Sequence, residues 1–216
     1  GAKSEDTPVY YFKSGDGHVL YMGADKEVNE LLIEYGFPDR DWWFHVDGLS
    51  SAHVYLRLNE NETIDDISEG CLEDCFQLVK ANSIEGCKKT NVKIVYTPHS
   101  NLKKTASMAT GQVGFKSGKN VRRGLVPKRT NAIVNRLNKT KVVENKPNLR
   151  GDREEYDRKK KREEEDAKAL AREEQRKLEK EAREAARIRN YSDLFGDDDA
   201  MKTNKDGSIE DEEDFM

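Results

Sequence analysis

No apolar run in these 216 residues approaches the roughly 20 needed to cross a bilayer as a helix. A membrane-spanning chain is therefore not expected. Cysteine is scarce and odd in number, three in all, which argues against a secreted disulfide framework and for a reducing compartment. There is no signal-peptide pattern, and Gly1-Ala2 reads as a cloning or protease scar. A Gly-rich phosphate loop ahead of a helix is missing, as is any GxSxG element. Regular βαβ spacing is missing too, which excludes a doubly wound sheet. Two further absences are local. Gly and Pro disappear from residues 152–190. Acidic residues almost disappear from residues 87–150, where Glu144 stands alone against 16 Lys and Arg.

That second absence exposes what the net charge of −4 conceals. Residues 1–86 carry 6 basic against 18 acidic groups, a net of −12, while residues 87–150 stand at +15. Residues 151–190 are balanced, 14 against 13, and residues 191–216 carry 2 against 10. A block this one-sided points to a polyanion. Lys88, Lys89, Lys93, Lys103, Lys104, Lys116, Lys119, Arg122, Arg123, Lys128, Arg129 and Arg136 are its candidates. Neutralised phosphates release counterions and make binding salt-sensitive. Trp43, Tyr96, His99 and Phe115 are candidate stacking faces for unpaired bases. This chemistry does not separate RNA from DNA.

Apolar patterning places a hairpin at Val9–Phe12 and Val19–Met22, around Ser14-Gly15-Asp16-Gly17. Asp25 is an N-cap for a helix carrying Val28, Leu31, Leu32 and Tyr35, ended by Gly36. A second helical stripe runs Ile64, Ile67, Cys71, Leu72, Cys75, Phe76, Leu78, Val79 and ends near Asn82. Cys71 and Cys75 lie one turn apart on it. A metal held by them with Cys87 or a histidine lacks the paired ligands of a structural zinc site, so buried reduced thiols are expected. Val92–Tyr96 reads as a strand. Val113–Phe115 and Val121–Val126 read as a third hairpin about Ser117–Asn120. Ile133, Val134 and Leu137 mark a short helix. The expected fold is α+β. Its expected limits are a disordered tail over residues 1–8, one compact domain over 9–144, a charged helix over 145–190 and a disordered acidic tail over 191–216. The helix seam, Ala167, Leu170, Leu178, Ala182 and Ala185, is thin, so a single charged helix with little or no homodimerisation is expected.

The central stretch is Asp41–Leu58, DWWFHVDGLSSAHVYLRL, with both tryptophans and two of the four histidines. It reads as strand, connection, strand. His45 and His53 occupy matching places on the two arms, with Ser50 and Ser51 between. They suit either a polar site or satisfied sheet positions. As a general base, either would need an orienting Asp41 or Asp47.

WWFHV, SSAHVYLRL, KANS, VYTP and NLKK follow one another in order, and together they resemble the NFACT-R domain family over Val9 to about Lys141. The form SSAHV, with Ala52 after Ser51, resembles the family's stand-alone eukaryotic group. The resemblance implies an α+β nucleic-acid-binding domain without catalytic activity or cofactor. It carries Trp43, Phe44, His45, Ser51, His53, Lys80, Ser83, Tyr96, Thr97, Lys103 and Lys104 as matching positions. Larger members bring further domains to tRNA and the ribosome in quality control of stalled translation, and this chain lacks those domains. The resulting expectation is a cytoplasmic, or also nuclear, binder of RNA or tRNA. The expected contact residues are His45, Ser51, His53, Lys80, Ser83, Lys93, Tyr96, Thr97, Lys103, Lys104, Lys116, Lys119, Arg122 and Arg123. The alternatives are a DNA binder of the same fold, a scaffold recruiting ribosomal or other proteins through the charged helix and acidic tail, and a hydrolase or transferase using the histidine hairpin.

Overall fold

The computed structural model describes residues 7–195, the side chains of residues 192–195 excepted. Two compact units divide the chain, Gly1–Arg158 and Lys159–Met216. Residues 1–6 of the expected disordered N-terminal tail, and those of the acidic tail beyond 195, lie outside the described residues, whereas Thr7 and Pro8 are ordered, the Thr7 amide donating to the Asn145 carbonyl and the Pro8 carbonyl accepting from the Ala24 amide, both at 3.0 Å. The expected start of that tail at 191 falls inside a helix.

The first unit is α+β, as its patterning implies. Val9–Lys13 (β1) and Val19–Gly23 (β2) pair antiparallel. Asp25 then caps Lys26–Tyr35 (α1), its carboxylate accepting from the Glu27 and Val28 amides at 2.9 and 2.8 Å. Gly36 closes the helix, but not through a left-handed turn, since its φ is −62°. Glycine is needed there because a Cβ would stand 2.4 Å from His99 Nε2.

Asp41–Val46 (β3) and Val54–Arg57 (β4) form the central hairpin, with Trp43 facing Tyr55 and Phe44 facing Val54. Glu69–Ala81 (α2), Val92–Pro98 (β5), Leu102–Lys103 (β6), Gly114–Phe115 (β7), Arg122–Val126 (β8), Asn131–Lys139 (α3) and Val142–Glu144 (β9) follow. Seven strands make one sheet in the order β8-β5-β3-β4-β2-β1-β9, antiparallel throughout, and β6 pairs with β7 in a second, two-stranded sheet.

Period-two alternation gives the large sheet two apolar faces. On one, Phe12, Leu20, Phe44, Leu56 and Tyr96 pack with Cys71, Cys75, Phe76 and Val79 of α2 and Leu137 of α3. The two thiols are buried there as small hydrophobes. On the other, Trp43, Tyr55, Tyr21 and Val95 pack with Val28 and Leu32 of α1 and Leu102 of β6. Each such side chain contributes about 1.5–3 kcal/mol when fully buried. Asp41 is a buried carboxylate in this unit. It accepts from Arg57 Nε, the Tyr21 hydroxyl and the Phe37 amide at 2.8, 2.6 and 2.7 Å.

Two patterning expectations are corrected. Ser68 Oγ accepts from the Cys71 amide at 3.0 Å and starts α2 there, so Ile64 and Ile67 precede the helix. The third hairpin does not form. Asn101 Nδ2 donates to the Ser117 carbonyl and Asn101 Oδ1 accepts from the Ser117 amide, both at 2.9 Å. Thr97 Oγ1 donates to the Asn120 carbonyl at 2.8 Å. These buried side chains hold residues 117–120 as a link between the two sheets, which sends β7 to β6 and β8 to β5.

The charged helix, Leu149–Phe195 (α4), starts later and ends later than the expected 145–190. Within the first unit, Tyr156 stacks on Phe37 at 4.2 Å between centroids, and Arg153 Nη1 donates to the Gly36 carbonyl at 2.5 Å. Within the second, ion pairs one turn apart line the helix, such as Glu173 with Lys177 at 2.9 Å. Leu170, Leu178 and Ile188 are exposed along it.

Candidate nucleic-acid interface

The histidine hairpin folds as its spacing predicts. His45 stacks on Trp43, centroids 5.4 Å apart and planes 3° from parallel, and its edge meets His53 at 4.9 Å. Trp43 Nε1 donates to His53 Nδ1 at 2.7 Å, so the neutral ring carries its proton on Nε2. His45 Nδ1 donates to the Val46 carbonyl at 2.7 Å. Burial lowers the proton affinity of both rings. With the added repulsion of His45, the pKa of His53 falls to about 3. Both are neutral imidazoles near pH 7. Ser51 Oγ accepts from the Val46 amide at 3.1 Å and steadies the connection.

His45, Ser51 and His53 line a cleft of about 630 Å³ at the end of the sheet, where β2, the start of α1, the β3–β4 connection and the end of α2 meet. Thr110 and Gly111 contribute another wall. That wall is tied to α1. Glu30 Oε1 accepts from Lys104 Nζ at 2.7 Å and from the Gly111 amide at 2.6 Å, and Lys104 also donates to the Ala109 and Gln112 carbonyls. Gly111 has a φ of +81°, in the left-handed region glycine tolerates.

Register carries the site across the sheet. Arg123 on β8 faces Val95 on β5, Val95 faces His45 on β3, and His45 meets His53. Three strand spacings separate the ends of this row, about 14 Å. Lys93 lies on the same sheet face, two residues along β5 from Val95.

The expected cations divide into engaged and open groups. Arg122 forms a two-pronged pair with Asp65 at 2.5 and 3.0 Å and sits over the Trp42 ring. Arg136 pairs with buried Asp74 at 2.5 Å. Lys104 is fully occupied in the loop clamp, and Lys116 donates to the Ser100 carbonyl at 2.7 Å. Arg123 is exposed and only loosely beside Asp47, at 3.8 Å. Lys93, Lys103 and Lys119 are exposed and have no ion pair among the described residues.

Several expected contact residues serve the scaffold instead. Lys80 is 0% exposed and Ser83 1%. Lys80 Nζ donates to the Gly86 carbonyl at 2.9 Å and to the Lys89 carbonyl. Ser83 Oγ donates to the Ser50 carbonyl at 2.6 Å. Thr97, 0% exposed, holds Asn120, and Tyr96 stacks on Phe44 at 5.2 Å inside the core. The polar atoms of Lys80, Ser83 and Thr97 face inward because the loops after α2 and β5 need buried partners. Neither Asp41 nor Asp47 hydrogen-bonds to His45 or His53 among the described residues, so the orienting acid of a general-base pair is not in place. Asp16, His18 and Cys71 form one cluster with ligand-type atoms within 4.8 Å of one another. The Asp16 carboxylate there already takes Ser14, His18 and Ser68. Asn29, Lys26 and Thr110, which also line the cleft, were not among the expected residues. Only the polar residue beside Val28 on an apolar helix stripe hinted at Asn29.

The family model described as the NFACT protein RNA binding domain matches residues 8–117 of this chain. Coiled-coil domain-containing protein 25 of Bos taurus is 49% identical over 212 residues, covering 94% of this chain and 99% of that one. The homolog of that protein in Dictyostelium discoideum is 53% identical over 134 residues, 62% of this chain and 65% of its own. Protein JLP2 of Saccharomyces cerevisiae is 43% identical over 141 residues, 62% and 68% of the two chains.

Proposed function

Since this chain belongs to the NFACT RNA-binding domain family, we propose that it is a non-enzymatic RNA-binding protein that takes tRNA or another structured RNA with unpaired segments and acts near the ribosome. The observation that carries this reading is the set of exposed cations without acidic partners, Lys93, Lys103 and Lys119, joined by Arg123 at the end of the row that leads to the histidine cleft. Cations in this state are available to phosphates, whereas Arg122, Arg136 and Lys104 would first have to break bonds within the domain. Neutral imidazoles, one stacked on Trp43 and the other edge-on to it, with no orienting carboxylate, fit binding better than proton transfer. No helix of the described residues is long and apolar enough to cross a membrane.

The test is binding of the full chain to labelled tRNA, to unpaired RNA and to duplex DNA as salt rises from about 50 to about 200 mM. Each phosphate contact contributes about 0.7 to the log–log salt slope on single strands. Replacing Lys93, Lys119 and Arg123 together by alanine should therefore lower the slope by about 2. An affinity indifferent to salt would refute the reading. Preference for duplex DNA over both RNAs would move the assignment to DNA, and cleavage of the RNA during incubation would refute the non-enzymatic part.

A further inference from the structure

The cleft contains a buried donor with nothing to donate to. Asn29 lies on the inner side of α1, 4% exposed, and forms part of the cleft wall. Its Oδ1 accepts from the Tyr55 hydroxyl at 3.0 Å, which orients the amide. Nδ2 is the one buried side-chain nitrogen or oxygen among the described residues without a hydrogen-bond partner. An unpaired buried N–H costs about 1–3 kcal/mol, and such groups call for a specific explanation.

The rest of the wall limits what can meet that donor. His45 and His53 are neutral, and Met22 and Ala52 add apolar surface. The Asp25 carboxylate is engaged in the helix cap. Lys26 is the one side-chain cation of the lining. A desolvated phosphate finds little compensation on such a surface. A neutral ring with a hydrogen-bond acceptor on its edge finds both apolar contact and the Asn29 amide. The volume, about 630 Å³, lies within the roughly 300–1,000 Å³ typical of small-molecule clefts. Cations for the attached phosphates stand along the same sheet face at Arg123 and Lys93.

We propose that this cleft receives a single unpaired nucleobase of the bound RNA, whose carbonyl oxygen or ring nitrogen accepts from Asn29 Nδ2. The assignment rests on the RNA-binding reading above. Every base carries such an acceptor, so the site distinguishes unpaired from paired nucleotides rather than one base from another. Asn29 is then a contact residue, and Glu30 with Lys104 positions the opposite wall.

Two measurements on the full chain test this. The first compares an unpaired oligoribonucleotide with an abasic ribose-phosphate strand of the same length, for wild type and for Asn29→Leu. The intact strand should bind wild type at least about tenfold more tightly than the abasic one. Asn29→Leu should remove up to about tenfold of that advantage, the scale of one hydrogen bond, and leave abasic binding unchanged. The second measurement titrates wild type with adenosine and uridine and follows the Asn29 side-chain amide and the His53 ring by NMR. It stands even if Asn29→Leu fails to fold. Movement of those resonances is expected. Equal binding of intact and abasic strands with silent cleft resonances would overturn the base site while leaving phosphate-driven RNA binding intact. A preference for bases that Asn29→Leu does not alter would also overturn it. If neither RNA strand binds, the RNA-binding reading fails and takes this assignment with it.

Discussion

Lowering the pH should destabilise the fold through His53. Its pKa in the folded protein is about 3, against about 6.5 for an unfolded histidine. The folded value is the lower one, so the unfolded chain binds the proton more tightly. The neutral ring's contribution is complete above about pH 6.5 and is lost as the pH falls from there toward 3. Each pH unit in that window is worth about 1.36 kcal/mol, so the loss at about pH 5 is about 2 kcal/mol. For a unit of this size that is a fall of about 4–8 °C in Tm. His45, also lowered by burial, adds in the same direction. His18 opposes them. Burial works against its charged form, but the Asp16 and Glu62 carboxylates at 2.8 Å outweigh it and raise the pKa. Its stabilisation is therefore complete below the unfolded value and fades as pH rises through the folded one. The assay compares thermal unfolding of wild type and His53→Gln at several pH values between about 7.5 and 5. Glutamine offers an amide oxygen to Trp43 Nε1 and does not titrate. The difference in stability should shift by about 2 kcal/mol in favour of the variant as the pH falls. Parallel Tm curves, or an NMR titration placing the His53 ring near pH 6, would refute the reasoning.

Lys80→Met takes the ammonium donor from the Lys89 carbonyl and from the Gly86 carbonyl, which keeps only the Lys89 amide, and should cost about 1–3 kcal/mol in urea unfolding while leaving the RNA affinity of the folded fraction unchanged; lost affinity at unchanged stability would return Lys80 to the ligand. Gly124→Ala places a Cβ 2.3 Å from Phe76 Cζ and should destabilise by about 1–3 kcal/mol through overpacking, read as a lower denaturation midpoint. Lys104→Met removes the clamp on residues 109–112, so the Gly111 amide should exchange its hydrogen about tenfold faster, a local opening of about 1.4 kcal/mol; unchanged protection would show that Glu30 suffices alone.

Short-range features were legible in the chain. The Asp25 cap, the first hairpin and the matching positions of His45 and His53 all follow from local periodicity and turn chemistry, and the structure holds them. Long-range pairing was not legible. Nothing near Asn101 announces that its amide will bind residue 117, yet that contact decides which strands β7 and β8 join. Lysines looked alike as letters, but Lys80 lies under two carbonyls, Lys104 under a loop, and Lys93 in the open. A charge count treats them as equals, whereas burial and the carbonyls left over by a chain reversal separate them. Asn29 escaped notice for the same reason, since its missing partner becomes visible only when α1 lies against the sheet.

The pairing of β1 with β9 has a consequence in time. Val9 faces Glu144 in register, 135 residues later in the chain. At a synthesis rate of about 5–20 residues per second, the outer edge of β1 waits roughly 7–27 s for its neighbour. During that interval the strand at the start of the domain presents an open row of backbone donors and acceptors, the kind of edge that recruits foreign strands. Three residues, Val142–Glu144, close it. A nascent chain halted after β8 would hold most of its core and still carry that edge, so the hazard to this protein during its own synthesis is greatest just before it is complete enough to work.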